Sequence, residues 1–418
     1  MDLNPIVLSV PLFFVLIGVE LLIERFTKKR LYRLQDSIAN ISCGITQQLS
    51  GLFLKVFAVG AYQLTYEKAA FFSPDPSSWW YWVSLFLLVD LAYYWAHRMS
   101  HEVNLFWGGH VVHHQSEEYN LSVALRQSSL QIVWTFAFNL PIALLGFQTL
   151  HFVFISALNT LYQFWIHTET INKMGWFEYV FNTPSHHRVH HGRNPKYIDK
   201  NHAGTLIIWD KLFGTFQAEE ERPVYGITKP LQSWNPLWAN FSHYADMAKD
   251  LRRIPTWTDR LRYVFARPGW MPASLGGYRA APDVDRSSFV KYDTPAPLQL
   301  GLYVLFHYVL AVIGTALFLF NQNSFTLLEK GIITGIVCWV VVNCGVLFEN
   351  RPWVIRAEWL RIVVLPGLLS AAVYAYHLPE WLHAISLTSF LVSALWLHAI
   401  LRRTRQTVTI NESVPKTS

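Results

Sequence analysis

Charged residues are scarce in this chain: they make up 15% of its 418 residues, whereas 52% are hydrophobic. Soluble domains carry about 25% charged residues, so the composition excludes an ordinary soluble protein. The mean hydropathy is +0.21, and the chain contains 18 Trp and 19 Tyr. These two residue types concentrate at membrane–water interfaces. The composition therefore predicts an integral membrane protein that crosses the bilayer several times.

Cysteine is also rare, and its positions exclude several kinds of site. Cys43, Cys338 and Cys344 all lie in apolar stretches and form no C-x-x-C pair, so we predict no disulfide framework. The sequence lacks a glycine-rich phosphate loop before a helix and a G-x-S-x-G turn, which argues against the common nucleotide-binding and serine-hydrolase classes. We interpret the modest net charge of +6 as a membrane-topology signal, and not as a nucleic-acid-binding surface.

Long apolar runs are abundant instead. A transmembrane helix needs about 20 mostly apolar residues, and nine segments approach that length. They are residues 5–23, 41–64, 79–95, 130–147, 150–166, 298–320, 331–348, 360–376 and 381–401. We therefore predict an all-α, polytopic membrane helical bundle of about nine transmembrane helices, with a cytoplasmic helical cap.

The basic residues predict the orientation of this bundle. Basic clusters follow the first, seventh and ninth apolar segments, around Arg30, Arg356 and Arg403. Because cytoplasmic loops are enriched in Lys and Arg, these three loops are predicted to be cytoplasmic. Counting through the nine segments places residues 97–129 and 168–296 on the same cytoplasmic face. If a weak segment such as 41–64 does not span, the face changes, but all three histidine blocks still share it.

Histidine is concentrated in one part of the chain, where twelve of the 17 lie between His97 and His202. Eight of them form one H-x-x-x-H and two H-x-x-H-H blocks: His97, His101; His110, His113, His114; His187, His190, His191. Residues three or four apart share a helix face, so each block is predicted to aim its rings in one direction. Eight imidazoles exceed the roughly four ligands of one zinc ion but suit two irons with positions open for dioxygen.

Other residues near the blocks are weaker candidates. His167 follows an apolar segment, where an ionisable residue is costly without a role, and we predict it as a ninth ligand. Any of the nearby acidic residues could orient an imidazole. For Glu102, a functional role and a solvated surface position both remain open. His186 and His202 are interpreted as structural residues in preference to ligands. Around the third block, Thr183, Pro184 and Gly192 are typical of a helix cap, first turn and stop.

The three blocks, in this order among apolar helices, resemble the fatty acid hydroxylase and sterol desaturase superfamily. Several runs are also similar to the branch of that superfamily that cleaves glyceryl ether lipids. Among them are QFWIHTE at 163–169, TPSHHRVHHGRN at 183–194 and IIWDKLFGTF at 207–216. The resemblance is strong over residues 80–220, and in the last third of the chain it rests on hydropathy alone.

The resemblance implies a membrane di-iron monooxygenase that uses O2 and tetrahydrobiopterin to hydroxylate the O-alkyl carbon of a glyceryl ether lipid. The hemiacetal formed would collapse to a fatty aldehyde and a glycerol derivative. The essential histidines of the family carry over to the eight in the blocks, and its catalytic acidic residue carries over to Glu102. The hydropathy pattern and the position of the histidine blocks predict three regions: N-terminal membrane helices at 1–78, a fatty acid hydroxylase-like catalytic domain at 79–296, and a C-terminal four-helix membrane region at 297–418.

Two other functions remain open at this point. One is a di-iron hydroxylase or desaturase of sterols, fatty acids or other lipids that receives electrons from a separate redox partner. The other is a transporter or metal-binding scaffold without turnover. In a transporter, however, ionisable residues are expected near the middle of the membrane, whereas these histidines lie at helix ends and in a polar segment.

Overall fold

Helices dominate the computed structural model, which describes residues 5–349, 351–377 and 379–413, with side chains described from residue 9 to residue 403 within those ranges. Sixteen α-helices and no β-strand occur among these residues. The same residues contain two isolated antiparallel β-bridges, one between Phe181 and Leu206 and one between Gly192 and Tyr225. The prediction of an all-α protein is confirmed.

The chain divides after Tyr292 into two compact units. The first unit contains α1 (Pro5–Thr27), α2 (Leu34–Ala69), α3 (Trp79–Glu102), α4 (Asn104–His114), α5 (Leu121–Ala124), α6 (Ile132–Thr135), α7 (Leu140–Leu144), α8 (Thr149–Trp165), α9 (Pro184–His190), α10 (Ile208–Leu212), α11 (Pro236–Arg253) and α12 (Trp257–Phe265). The second unit contains α13 (Leu298–Phe320), α14 (Leu327–Val346), α15 (Pro352–Ala375) and α16 (Trp381–Ser413).

Four helical segments among the described residues are long and apolar enough to cross a membrane. They are Leu298–Phe320, Leu327–Glu349, Pro352–Ala375 and Trp381–Arg403, all in the second unit. These four helices indicate an integral membrane protein. The larger count of about nine crossings stays a prediction.

The predicted helix at 130–147 is not one continuous α-helix. The structure has α6, a 3-10 turn at Phe136–Asn139 and α7 in its place. Pro141 lies in the first turn of α7, where proline fits but where a continuing helix would lose a hydrogen bond. The apolar helical path Ile132–Leu144 is shorter than the roughly 20 residues that a crossing needs.

An apolar core connects the helices behind the histidines. Residues of α2, α3 and α8 pack here with α7 and with Phe147. The buried members are Tyr62, Tyr81, Leu85, Val89, Ile142, Ala143, Phe147, Phe152 and Ile155. Because this core fixes α3 against α8, it sets the distance between the ends of these two helices.

The second unit contains a buried polar network of its own. The Glu358 carboxylate accepts hydrogen bonds from the Tyr303 hydroxyl, from Asn343 Nδ2 at 2.8 Å and from Arg361 Nε at 2.8 Å. Glu358 is fully buried. Since an uncompensated buried charge is costly, this network holds α13, α14 and α15 in one arrangement.

Candidate metal centre

Four parts of the first unit carry the predicted histidine ligands. The last turns of α3 carry His97 and His101, as expected for a block at a helix end. A single extended residue, Val103, joins α3 to α4, so the two helices fold back on each other. The remaining histidines are His110, His113 and His114 on α4, His167 just after α8, His187 and His190 on α9, and His191 at its C-cap.

The structure brings these nine histidines into two buried groups. In each group the candidate ligand atoms all lie within 4.8 Å of one another. The first histidine group is His97, His101, His110, His114 and His190; the second histidine group is His113, His167, His187 and His191. The two groups are adjacent, because the rings of His114 and His191 stack with centroids 4.5 Å apart.

Each H-x-x-H-H block is divided between the two groups. On α4, His110 and His114 join the first histidine group, and His113 joins the second. The third block does the opposite, since His187 and His191 join the second group and His190 joins the first. The prediction that each block aims one way is therefore wrong for both triplets. Residues i and i+4 share a face, while the residue at i+3 faces the neighbouring group.

Distances between ring nitrogens fit two metal ions. The Nε2 atoms of His97 and His110 are 2.8 Å apart, and those of His113 and His167 are 3.1 Å apart. The Nε2 atoms of His167 and His187 are 2.9 Å apart. Two nitrogens bound at right angles to one ion, each at about 2.1 Å, would lie roughly 3 Å apart.

Backbone carbonyls fix which nitrogen faces inward. The Nδ1 atoms of His113 and His167 lie 3.0 Å from Arg126 O and 2.7 Å from Gln163 O. A carbonyl oxygen can only accept a hydrogen bond, so Nδ1–H donates and Nε2 carries a lone pair. The two Nε2 lone pairs then face each other with no proton between them. A cation at this position would remove that repulsion, so the residues fit a metal ion.

Burial keeps these histidines neutral. It lowers the pKa of His113 to about 4 and lowers the pKa values of His187, His190 and His191 well below the usual value of 6.5. In each case removal from water is the largest cause, because it disfavours the charged ring. Neutral imidazole is the form that binds metals, so the rings are ready to act as ligands at pH 7.

A tenth histidine lies against the first histidine group. The His202 ring is fully buried, and its centroid is 5.0 Å from that of His101. Neither of its ring nitrogens has a hydrogen-bond partner among the described residues. His202 was not predicted as a ligand because it stands alone in a loop and belongs to no helical block.

Two buried aspartates hold that loop in place. Asp210 accepts hydrogen bonds from the His202 and Ala203 backbone N–H groups, each at 2.8 Å. Asp90, on the apolar helix α3, accepts from the Thr205 backbone at 2.8 Å and from Trp209 Nε1 at 2.9 Å. Neither residue was predicted from the sequence. A lone carboxylate in an apolar helix, seven residues before His97, was the signal that could have found Asp90.

Arg188 anchors the third block. Its guanidinium is fully buried, and it donates to Glu219 from Nε at 2.9 Å and from a terminal nitrogen at 2.7 Å. It also donates to the backbone carbonyls of Thr168 and Ile171. This ties α9 to the segment that follows His167, so the histidines of both elements keep one spacing.

Several predicted residues lie outside the two groups. Glu102 ends α3 and forms ion pairs with Arg98 at 3.0 Å and with Arg267 at 3.3 Å. Its predicted catalytic role stays a prediction. His186 lies on α9 with its ring against Phe216, and it belongs to neither histidine group.

The predicted cap of α9 differs in its chemistry. Thr183 is the N-cap residue and Pro184 begins the helix, as the sequence indicated. The Thr183 hydroxyl, however, donates to Glu178 at 3.0 Å and makes no capping hydrogen bond to the helix. Glu178 therefore takes the place of the helix N–H groups as the partner of this hydroxyl.

Comparison with known proteins agrees with this geometry. The fatty acid hydroxylase family model matches residues 82–215, which contain all ten of these histidines. The alkylglycerol monooxygenase of Homo sapiens is 39% identical over 365 residues, which cover 85% of this chain and 80% of that protein. The chain belongs to the alkylglycerol monooxygenase family.

Further alkylglycerol monooxygenases are similar to this chain. That of Xenopus tropicalis is 36% identical over 84% of this chain and 79% of its own length. That of Caenorhabditis elegans is 29% identical over 81% of this chain and 70% of its own length. No solved structure matches the chain. The likeness to the alkylglycerol monooxygenase family thus extends well beyond the histidine-bearing segment.

Proposed function

We propose that this protein is a membrane di-iron monooxygenase that cleaves glyceryl ether lipids to a fatty aldehyde and a glycerol derivative. The observation that carries the proposal is the pair of adjacent buried histidine groups in a chain of the alkylglycerol monooxygenase family. Iron suits an all-imidazole site that must activate dioxygen. The proposed reductant is tetrahydrobiopterin, in keeping with the family resemblance.

The two histidine groups would each hold one iron. When bound, the irons supply the activation of dioxygen that insertion of one oxygen atom into a C–H bond requires. The second oxygen atom leaves as water after taking up two protons and two electrons, and the reductant supplies the electrons. The hydroxylated carbon then carries both a hydroxyl and an ether oxygen. Transfer of the hydroxyl proton to the ether oxygen and cleavage of that ether C–O bond give the aldehyde and release the glycerol oxygen as a hydroxyl group.

The contribution of this chain is to position ligands and exclude water. Carbonyls of Arg126 and Gln163 hold the Nδ1 protons of His113 and His167, so that Nε2 of each ring points inward. We propose His202 as a tenth residue of the centre, since both its nitrogens lack partners beside the first histidine group. Glu102 is proposed as a positioning residue at the end of α3, acting through Arg98 and Arg267.

The membrane arrangement is part of the proposal. Four helical segments of the second unit can cross a bilayer. We propose that apolar helices of the first unit bring the total to about nine and that the histidine groups lie on the cytoplasmic face. The basic loops around Arg30, Arg356 and Arg403 support this orientation.

We also propose that residues 1–78, 79–296 and 297–418 act as three regions, with the last serving lipid access and not metal binding. All nine predicted ligands lie before residue 297. Deletion of residues 297–418 should therefore leave two irons bound while lipid turnover fails. Loss of iron from the shortened protein would contradict this division.

The decisive experiment measures metal and product together. Purified protein should contain close to two irons per chain. With tetrahydrobiopterin and an alkylglycerol, it should release fatty aldehyde, and omission of the pterin should abolish the product. A protein with one zinc and no iron would overturn the proposal. Hydroxylated sterol formed with a separate electron donor would favour the other lipid hydroxylase function.

A further inference from the structure

A cavity of about 490 Å³ opens beside the second histidine group. Its volume is within the range of roughly 300–1,000 Å³ that small-molecule sites occupy. Tyr119 forms the wall that the cavity shares with the metal centre: its ring centroid lies 5.2 Å from that of His191 and 5.9 Å from that of His167. A molecule in this cavity is thus one aromatic ring away from the histidines.

The inner part of the cavity has a flat aromatic wall. Tyr119 and Tyr225 stack with centroids 4.8 Å apart and planes 15° apart. Each hydroxyl is already used, since Tyr119 donates to Ile166 O at 3.0 Å and Tyr225 donates to Glu169. Leu31 and Phe289 add apolar surface to the lining. This part of the cavity suits the carbon skeleton of a ligand.

The glutamates in the lining are compensated by the protein itself. Glu118 accepts from Arg33 Nε at 2.5 Å and pairs with Lys291. Glu169 pairs with Arg222 at 2.5 Å. A third glutamate in the lining, Glu117, accepts a hydrogen bond from a backbone N–H at 2.6 Å. These carboxylates therefore have little capacity left to bind a cationic ligand.

The mouth of the cavity, in contrast, has unneutralised positive charge. Five basic side chains line the cavity against the three glutamates. Of the five, Lys29, Arg30 and Arg286 are exposed and form no ion pair with any carboxylate in the described part of the chain. Clustered cations around a concave surface attract anions, and arginine binds phosphate oxygens in a fork geometry.

We propose that Lys29, Arg30 and Arg286 bind the phosphate of a phosphate-bearing ether lipid, whose glycerol portion lies against Tyr119. This inference rests on the proposed function and adds ether lipids with an anionic headgroup to the neutral alkylglycerols as substrates of the same site. The phosphate would neutralise these three cations, which have no carboxylate partner among the described residues at the mouth of the cavity. The headgroup site would then hold the glycerol portion against Tyr119, on the side of this ring opposite to His167 and His191.

A binding experiment tests the site without turnover. Inorganic phosphate and glycerol 3-phosphate are titrated calorimetrically into the full-length, iron-loaded protein in neutral detergent. The double variant Arg30→Gln/Arg286→Gln should weaken binding of both probes roughly tenfold, because it removes two charged hydrogen-bond donors. The matched control is Arg252→Gln, an exposed arginine of α11 outside the cavity lining, which should bind like the parent protein. Equal binding by all three proteins would overturn the proposal, whether or not the protein cleaves ether lipids.

A kinetic experiment distinguishes the phosphate of a bound substrate from the anionic headgroups of the surrounding membrane. An alkylglycerol and its 3-phosphate with the same alkyl chain are compared in neutral micelles. The double variant should raise the KM of the phosphorylated substrate roughly tenfold and leave the KM of the alkylglycerol unchanged. Two results would overturn the proposal. One is unchanged KM values with lost flotation on phosphatidylserine vesicles, which would assign the residues to bulk lipid. The other is a double variant in which only the KM for tetrahydrobiopterin changes, which would assign the residues to the pterin.

Discussion

His113 shows at the scale of one residue how the metal centre is assembled. It lies between two ligands of the first histidine group along α4, yet its Nε2 is 3.1 Å from that of His167 in the second group. Its other nitrogen is held by the Arg126 carbonyl. A single residue of α4 thus connects that helix to the second metal position.

Replacement of His113 should affect one metal position first. We expect His113→Ala to lower the iron content from two towards one per chain and to reduce turnover by more than about 100-fold. Loss of a direct metal ligand should reduce activity more than loss of a residue that only orients a ligand, which costs about 10–100-fold. Iron analysis and aldehyde release measure both effects. His383→Ala, an exposed histidine of α16, should keep two irons and full turnover. Two irons retained in His113→Ala would contradict the grouping.

Arg188 fixes the position of α9 through its buried hydrogen bonds to Glu219 and to the Thr168 and Ile171 carbonyls. Substitution by Met removes the bidentate partner of Glu219 and leaves Arg222, at 3.2 Å, as its remaining cation. The protein is therefore expected to be destabilised by about 3 kcal/mol, the lower end of the range for a broken buried ion pair. Thermal unfolding measures the loss, and the iron content should fall with it. The double variant Arg188→Met/Glu219→Met should recover part of the stability, because no buried charge is then unpaired.

The control for this pair is an exposed ion pair of the same region. Glu220 meets Lys196 at 3.2 Å, with most of its side chain in solvent. Glu220→Gln should change the stability by less than about 0.5 kcal/mol. A similar loss for Arg188→Met and Glu220→Gln would show that the buried pair has no special role.

At the scale of the element, α4 depends on two glycines for its close packing. A Cβ atom at Gly109 would lie 2.0 Å from the Trp134 ring, and one at Gly108 would lie 2.5 Å from the Tyr244 ring. Both distances are far below van der Waals contact. These glycines let α6 and α11 approach α4 directly beside His110, and therefore fix the depth at which its histidines lie.

Substitution of Gly109 should move α4. Gly109→Ala is expected to cost about 1–3 kcal/mol because the rigid Trp134 ring must shift, and it should lower the iron content. Gly60→Ala in α2 is the matched control, since nothing lies within 4 Å of its Cβ position. That change should be neutral or stabilise by up to about 1 kcal/mol. Unfolding temperature and iron content measure both variants, and equal behaviour would refute the packing argument.

At the scale of the whole molecule, the buried histidines make stability depend on pH. Burial lowers the pKa of His113 to about 4, and it lowers those of His187 and His191 well below the usual value of 6.5. An unfolded histidine has a pKa near 6.5, so below pH 6.5 the unfolded chain binds more protons than the folded chain. Stability is therefore complete above about pH 6.5 and declines as the pH falls towards the folded values.

This linkage predicts acid-sensitive unfolding of the iron-free protein. When the pH falls from 7.5 to 5.5, each such histidine should lower the free energy of unfolding by about 1 kcal/mol. Several together should lower the melting temperature by many degrees. Calorimetry of iron-free protein at the two values measures the change. Iron-loaded protein should resist better, since bound metal competes with protons. A melting temperature that rises on acidification would contradict the burial of neutral rings.

Much of the site could be predicted from residue spacing. The blocks at His97, His110 and His187 indicated helical histidine faces, and all nine predicted ligands lie in the two groups. The nine-segment hydropathy pattern also predicted helices, although it could not show the interruption at Phe136–Asn139. An apolar composition indicates that a segment avoids water but does not show whether its helix is continuous. It therefore does not distinguish a transmembrane helix from a bent, half-buried segment.

Local sequence alone determined the all-helical character of this protein, its membrane nature and the identity of its clustered imidazoles, because these follow from periodicity and composition. Tertiary structure decided how each triplet is divided, which ring nitrogen faces inward, and that His202 lies beside the first histidine group. It also formed the cavity next to Tyr119. These features depend on carbonyls, carboxylates and rings from segments far apart in the chain. Their distances are set only when the helices pack.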